Sequence, residues 1–301
     1  MPAGTPLPPP IEIDEAVAVV TGGAGGIGKG IVKALLVSGA VVVAADIERP
    51  AIDALLAEVG HLGSISGFVT DVSSLDSVEE LAGHVYEMHG RCNLLFNNAG
   101  VGSGGGGKTW SSEPNDWKWC FGVNVFGTAN GVVAFVPRML ESGLAGHVIN
   151  TSSGDGGFAP VPMAAVYASS KAAVTCFTEA LNHQLLSESD VMAASVFYPS
   201  GGLMDPGLFT GDRNRPAELA RVRSPGRRSA MTFEQLKKAL EKAGRDVSVA
   251  DLDELGDFVV DRVAQRQFII ARDIEATVEL LHRRADAIGR FEAPPTHEMG
   301  I

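Results

Sequence analysis

Tyr167 and Lys171 stand four residues apart in a segment of helical periodicity, so their side chains share one face. A phenol with an ordinary pKa of ~10 is a poor base at neutral pH, and an ammonium beside it stabilises the phenolate. Such a tyrosine takes a proton from an alcohol or gives one to a carbonyl. Alone the pair says little, because exposed pairs at this spacing are common. A second cluster reads Thr21-Gly-Gly-Ala-Gly-Gly-Ile-Gly28. Gly22, Gly26 and Gly28 form one register, while Gly23, Gly25 and Gly28 satisfy GxGxxG, and spacing does not choose between them. In either register the glycines let the chain turn tightly against a pyrophosphate, and a following helix aims its first N–H groups at the phosphates. Gly23 to Lys29 also resembles most of a Walker A loop, but Gly30 stands where a magnesium-binding Ser or Thr belongs. Asp46 lies 18 residues beyond Gly28. A carboxylate there accepts hydrogen bonds from the adenosine ribose and repels a 2′-phosphate, which predicts NAD over NADP, with the nearby Arg49 weighing the other way.

These groups need strands and helices to hold them. Val17 to Val20 is a short β-branched run that leads into the glycine cluster. Ile27, Ile31, Ala34 and Leu35 then fall on one helical face, Gly39 ends that helix, and Val41 to Val43 starts another strand. The alternation continues with helix 51–59, strand 65–69, helix 74–89, strand 94–97, helix 117–141, strand 147–151, helix 164–186 and strand 191–197. Continuously apolar strands alternating with helices predict an α/β fold with a doubly wound parallel sheet. Helices at 233–243, 251–266 and 274–288 and a strand at 268–270 complete the pattern. The expected organisation is a flexible Pro-rich leader (1–14), a single domain (15–290) with a lid at about 201–250, and a tail (291–301).

Composition narrows the function. The 301 residues are 45% hydrophobic with 36 Gly, too apolar for disorder and without collagen periodicity. A formal charge of −12 argues against nucleic acid and anionic membranes, although residues 201–250 carry ten Lys or Arg against six Asp or Glu. Three cysteines make no disulfide framework or zinc site, and seven histidines show no metal spacing, so no catalytic metal is expected. No signal peptide or membrane span is visible, and the expected location is the cytoplasm.

In order and spacing, the chain resembles the short-chain dehydrogenase/reductase family. The resemblance rests on Thr21-Gly22-x-x-x-Gly26-Ile27-Gly28, Asp46, Asp71-Val72, Asn97-Asn98-Ala99-Gly100, Asn124, Ser152-Ser153 and Tyr167-x-x-x-Lys171, and covers about residues 15–200. It implies that Tyr167 is the acid/base, that Lys171 lowers its pKa and holds the nicotinamide ribose, and that Ser153 binds the substrate oxygen. Asn124 would hold a kinked helix and a relay water. Asp71 and Val72 would contact adenine, and Asn98, Ala99 and Gly100 would pass beside the adenosine, Asn98 also bridging strands. Ser153 lies 14 residues before Tyr167, one more than the family pattern, which leaves Ser152 in contention. After the sixth strand Pro199 matches, but the usual Thr is missing from Ser200-Gly-Gly-Leu-Met204. Segments 124–139 and 253–270 look like a branch that oxidises bulky secondary alcohols, including lignin-derived aryl alcohols. The expected reaction interconverts an alcohol and a ketone in a homodimer or homotetramer built through helices 117–141 and 164–186. An NADPH-preferring carbonyl reductase and a non-catalytic dinucleotide-binding regulator are the alternatives. The glycine run 102–107 is either a pocket edge or a flexible loop, and Trp110 is a candidate for an aromatic pocket wall.

Overall fold

A computed structural model describes residues 8–102, 107–204, 207–223, 232–242, 244 and 247–296. Seven parallel strands form one sheet: β1 (Val17–Thr21), β2 (Val41–Asp46), β3 (Ile65–Val69), β4 (Leu94–Asn97), β5 (Gly146–Thr151), β6 (Met192–Phe197) and β7 (Ile269–Ile270). Their order is β3-β2-β1-β4-β5-β6-β7, so the winding reverses between β1 and β4, where doubly wound sheets bind ligands.

Strand alternation divides the core. Ala18 and Val20 of β1 pack with α1 (Gly26–Val37), α2 (Arg49–Val59) and α9 (Leu252–Ala264). Val17 and Val19 face the other layer, α3 (Leu75–His89), the segment from α4 (Pro114–Phe121) to α5 (Gly127–Ser142), and α7 (Ala165–Glu188). Both faces are covered, which is why these strands lack polar alternation. α1 and α9 cross closely: a Cβ on Gly256 would lie 2.2 Å from the Gly30 carbonyl oxygen. A short turn α6 (Gly154–Gly157), α8 (Phe233–Lys242) and α10 (Glu275–Gly289) complete the elements.

The expected helix 117–141 starts earlier and is not continuous: α4 begins at Pro114, and Gly122–Phe126 widens into a π-helical turn before α5. By length and composition Pro114–Ser142 is long and apolar enough to cross a membrane, but half of its most apolar window is buried, with Phe135 and Met139 packed in the core. The segment read as a leader is tied down in its described part. Ile11 and Ile13 are buried, Ile11 N–H donates to the Ala264 carbonyl, and Arg266 donates to that of Pro9. Periodicity missed this because two isoleucines among prolines and acids form no regular element.

Candidate active site

The glycine loop lies at the carboxyl end of β1. Gly22 and Gly26 have φ of +62° and +51°, which favours the register built on Gly22, Gly26 and Gly28. A Cβ on Gly28 would lie 2.0 Å from the Gly22 carbonyl oxygen, so the turn closes only with glycine there. Gly25 caps α1 without a side-chain bond, and no acid occupies the first turn of that helix. Its leading N–H groups therefore border a cavity of about 390 Å³. Thr21 Oγ accepts the N–H groups of Asn98 (3.0 Å) and Ala99 (3.1 Å) and donates to the Phe96 carbonyl. Asn98 in turn donates to the Thr21 carbonyl at 3.0 Å. Asn98 thus joins the ends of β1 and β4, while Ala99 and Gly100 line the cavity with Ile27.

Asp46 ends β2 on the cavity wall. Its carboxylate accepts the Ala24 N–H at 3.1 Å and the Glu48 N–H at 3.2 Å. Burial pushes its pKa up, and these backbone bonds oppose that shift. Arg49 is exposed and reaches Asp53 at 3.9 Å, so it does not confront Asp46. Asp71 and Val72 lie on the same wall; Asp71 accepts from Ser73, and the Val72 carbonyl from Asn130. The buried hydroxyls of Thr70 and Thr151, both on the wall, lack a protein partner. A glycine turn, an uncapped helix start, a carboxylate and two unmatched hydroxyls along one cleft fit a dinucleotide.

At the other end of the cleft α7 brings Tyr167 and Lys171 onto the wall beside Ser153. Lys171 Nζ donates to the Thr151 carbonyl at 2.8 Å and lies 5.8 Å from the Tyr167 ring centre. Burial holds its pKa down at about 8, opposed by the Cys120 thiol. The sequence predicts that Lys171 lowers the pKa of Tyr167. In the structure burial instead raises the phenol, the Ser153 hydroxyl opposes through a hydrogen bond, and Asp155 and Cys120 add to the rise.

Asn124 sits at the centre of the π-helical turn, buried. Its side chain accepts the Val101 N–H at 2.8 Å and donates to the Val101 carbonyl at 3.0 Å and to Ser170 Oγ at 2.9 Å. Ser170 donates to the Tyr167 carbonyl at 2.7 Å, so Asn124 links the β4 loop to the start of α7. A Cβ on Gly100 would stand 3.4 Å from Asn124 Oδ1 and 3.5 Å from Lys171 Nζ, which places those two groups on either side of one glycine. The two serines separate clearly. Ser152 is buried, donates to the Lys171 carbonyl at 2.9 Å and pairs with Thr175 at 2.8 Å. Ser153 keeps its hydroxyl beside Tyr167. The additional residue before Tyr167 fits in the Gly154–Gly157 turn, where Gly156 has φ +102° and a Cβ would lie 1.9 Å from the Ala168 carbonyl oxygen. Pro199 and Met204 form the wall after β6.

Gly207, Gly211, Arg213, Asn214 and Pro216 of segment 207–223, where the sequence places a lid, line the cleft, and the anchors of this segment had no periodic signal. Glu113 accepts the Val222 and Arg223 N–H groups. Buried Asp116 receives Arg215 and Arg221 on one oxygen, each at 2.8 Å. Arg215 also stacks on Trp119 at 5.0 Å. Arg215 and Arg221 thus dock this segment onto α4. Trp110 is 79% exposed, lies over Lys108 and takes no part in the cavity wall. Of the glycine run 102–107, residues 103–106 lie outside the described residues. Among the described residues no group of three metal ligands converges.

These features define a doubly wound, nucleotide-binding protein with Tyr167, Lys171 and Ser153 gathered at one end of its cleft. A family model described as short chain dehydrogenase matches residues 16–201. The C alpha-dehydrogenase of Sphingobium sp. (strain NBRC 103272 / SYK-6) is 34% identical over 209 residues, covering 69% of this chain and 66% of that one, just under two thirds. A short chain dehydrogenase/reductase from Burkholderia phymatum, solved in complex with NAD, superposes with TM-score 0.84 at 32% identity over 95% of this chain and 99% of that one. A metagenomic short-chain oxidoreductase solved in complex with NADP matches with TM-score 0.64 at 25% identity over 87% and 96%. The chain belongs to the short-chain dehydrogenase/reductase family.

Proposed function

We propose that the protein interconverts a bulky or aryl secondary alcohol and its ketone using NAD(H), with Tyr167, Lys171, Ser153 and Asn124 as the catalytic set. The observation that carries this reading is the convergence of Tyr167, Ser153 and Lys171 at one end of a cleft whose other end is Asp46. When bound, the nicotinamide supplies the acceptor for the carbinol hydrogen and its electron pair. Ser153 and Tyr167 together hold the substrate oxygen, and Tyr167 takes the hydroxyl proton in oxidation or returns it in reduction. With a pKa near 8, Lys171 passes that proton on near neutral pH, and its ammonium form binds the nicotinamide ribose. Asn124 fixes the Val101 peptide and, through Ser170, the first turn of α7, and carries the proton path onward through a water. Gly22, Gly26, Ile27, Gly28, Asp71, Val72, Asn98, Ala99, Gly100 and Pro199 shape the cofactor wall, and Asp46 takes the adenosine ribose. NAD rather than NADP is supported by Asp46 on the wall and Arg49 away from it.

The Sphingobium relative supports the aryl-alcohol branch. The exposed apolar residues Phe126 (59%) and Val133 (55%) on the α4–α5 face suit assembly as a homodimer or homotetramer of a soluble, cytoplasmic enzyme. The test is a panel of aryl and alicyclic secondary alcohols and ketones followed by NADH absorbance, with Tyr167→Phe beside the wild type. Turnover is expected only in the wild type, with NAD binding nearly unchanged in the variant. Substantial turnover by Tyr167→Phe refutes the mechanism.

A further inference from the structure

The lid carries a cation to the adenosine end of the cleft. Among the described residues lining the cavity, Arg213 and Lys171 are the cationic ones, and Lys171 belongs to the reaction end. Arg213 stands on the wall with Gly26, Asp46, Ile47 and Glu48. A guanidinium there is the group that would pair with a 2′-phosphate and offset the repulsion from Asp46. It is instead engaged. Arg213 donates to one carboxylate oxygen of Glu48, and Asn214 Nδ2 donates to the same oxygen at 2.7 Å. The Glu48 N–H itself bonds Asp46 at 3.2 Å, so the ribose carboxylate and the lid contact share one short turn after β2.

The two lid contacts differ in kind. The Asp116 anchor is buried, with side chains 7–9% exposed, whereas Arg213 is 49% and Glu48 30% exposed. An exposed ion pair is weak and screened, so it can open while the buried one holds. The first suits passage of a cofactor, the second a fixed hinge.

We propose that Glu48 is a second determinant of cofactor choice: by holding Arg213 and Asn214 it latches the lid over the adenosine end and withholds the Arg213 guanidinium from a 2′-phosphate. This rests on the NAD(H) reading above. Asp46 repels the phosphate directly, and Glu48 removes the cation that would compensate. Loss of Glu48 removes this partner of Arg213 beside the ribose and unlatches the lid at once.

The experiment is equilibrium titration of the full chain with NADH and NADPH, read by cofactor fluorescence, for wild type, Glu48→Ala, Arg213→Ala and the double variant. Glu48→Ala is expected to weaken NADH binding and to shift the NADPH-to-NADH affinity ratio toward NADPH by about tenfold, the scale of one charge-assisted bond. The double variant is expected to lose that shift, and Arg213→Ala alone to show none. A ratio unmoved in Glu48→Ala, or a shift that survives removal of Arg213, overturns the proposal. The wild type decides the cofactor reading separately. A wild type that prefers NADPH overturns that reading and this one together. An NADH-preferring wild type whose ratio ignores Glu48→Ala overturns this one alone.

Discussion

Asp116 makes the sharpest test of the lid. Its two oxygens have different duties: one receives Arg215 and Arg221 at 2.8 Å each, and the other receives the Glu113 N–H at 2.9 Å. An asparagine has one acceptor oxygen, so its NH₂ must face either the guanidinium groups or the Glu113 N–H, donor against donor. Asp116→Asn is therefore expected to lose at least one charge-assisted bond, about 1.5–3 kcal/mol. Asp116→Ala leaves two nearly buried guanidinium groups with the longer Asp212 contacts, at 4.0 and 3.6 Å, in place of their shared carboxylate, a cost of up to about 3–5 kcal/mol if the lid stays docked. If the lid undocks, the loss of stability stops at the docking free energy and Arg215 and Arg221 become cleavable by trypsin. Urea unfolding and timed trypsin digestion distinguish the two routes. The pH dependence follows from the same contacts. Burial pushes the Asp116 carboxyl up, but the Glu113 N–H and the two arginines outweigh it and hold the pKa below its usual value. A lowered native pKa contributes stability above the ordinary carboxylate pKa of ~3.9, and that stability is lost as pH falls through the native value. Protection of the lid should thus be full at neutral pH and fail in acid. An Asp116→Ala protein within about 0.5 kcal/mol of wild type, with no faster cleavage, would refute the argument, since surface changes without a role fall in that range.

Three further outcomes are expected. Gly28→Ala forces a Cβ to within 2.0 Å of a main-chain oxygen in the glycine loop, so NADH affinity should fall at least about tenfold, measured by fluorescence titration. Asp155→Asn removes a negative charge that raises the Tyr167 phenol, so the rising limb of the oxidation pH profile should move to lower pH, with the limb of the wild type unchanged by salt-matched buffers. His147 is buried with its pKa held down at about 3, first by burial and then by Arg266, so an unfolded histidine at ~6.5 binds a proton the native one refuses. Stability should fall by up to about 1.4 kcal/mol per pH unit as pH drops from 6.5 toward 3, and His147→Gln should flatten that slope in urea titrations at stepped pH.

The legible parts of this chain are those set by local rules. β1, the glycine turn and α1 follow from a β-branched run, positive-φ glycines and a helical apolar face, all within one stretch of about 20 residues. Tyr167 and Lys171 share a helix, so their spacing places them together. The remainder depends on distant partners. Ser152 and Ser153 are adjacent and alike in sequence, and they differ only because the Lys171 carbonyl and Thr175 take one hydroxyl, while Tyr167 meets the other. The π-helical turn at Asn124 depends on the Val101 peptide, 23 residues away, and no periodicity signals it. Ile11 and Ile13 become core residues through distant partners, with the Ala264 carbonyl accepting the Ile11 N–H and Arg266, 257 residues beyond Pro9, binding the Pro9 carbonyl.

The same contrast applies to the charges of residues 201–250, whose partners no count reveals. Ten cations against six anions in residues 201–250 suggest a basic surface over the cleft. Yet three of the four arginines of segment 207–223 meet carboxylates of other segments: Arg213 has Glu48, while Arg215 and Arg221 share Asp116 and also reach Asp212 of their own segment. Glu48 sits at the start of α2, where it lines the cleft, and Asp116 sits in α4. The lid is thus held by two pairings of unequal burial. Screening acts strongly on the Glu48 pair and weakly on the Asp116 group. Raising salt should therefore loosen the adenosine end before the α4 end, so NADH affinity should fall at salt concentrations that leave Arg215 and Arg221 protected from trypsin. Loss of that protection at the same salt concentration as loss of NADH affinity would show that the lid moves as one rigid piece and that burial does not separate its two contacts.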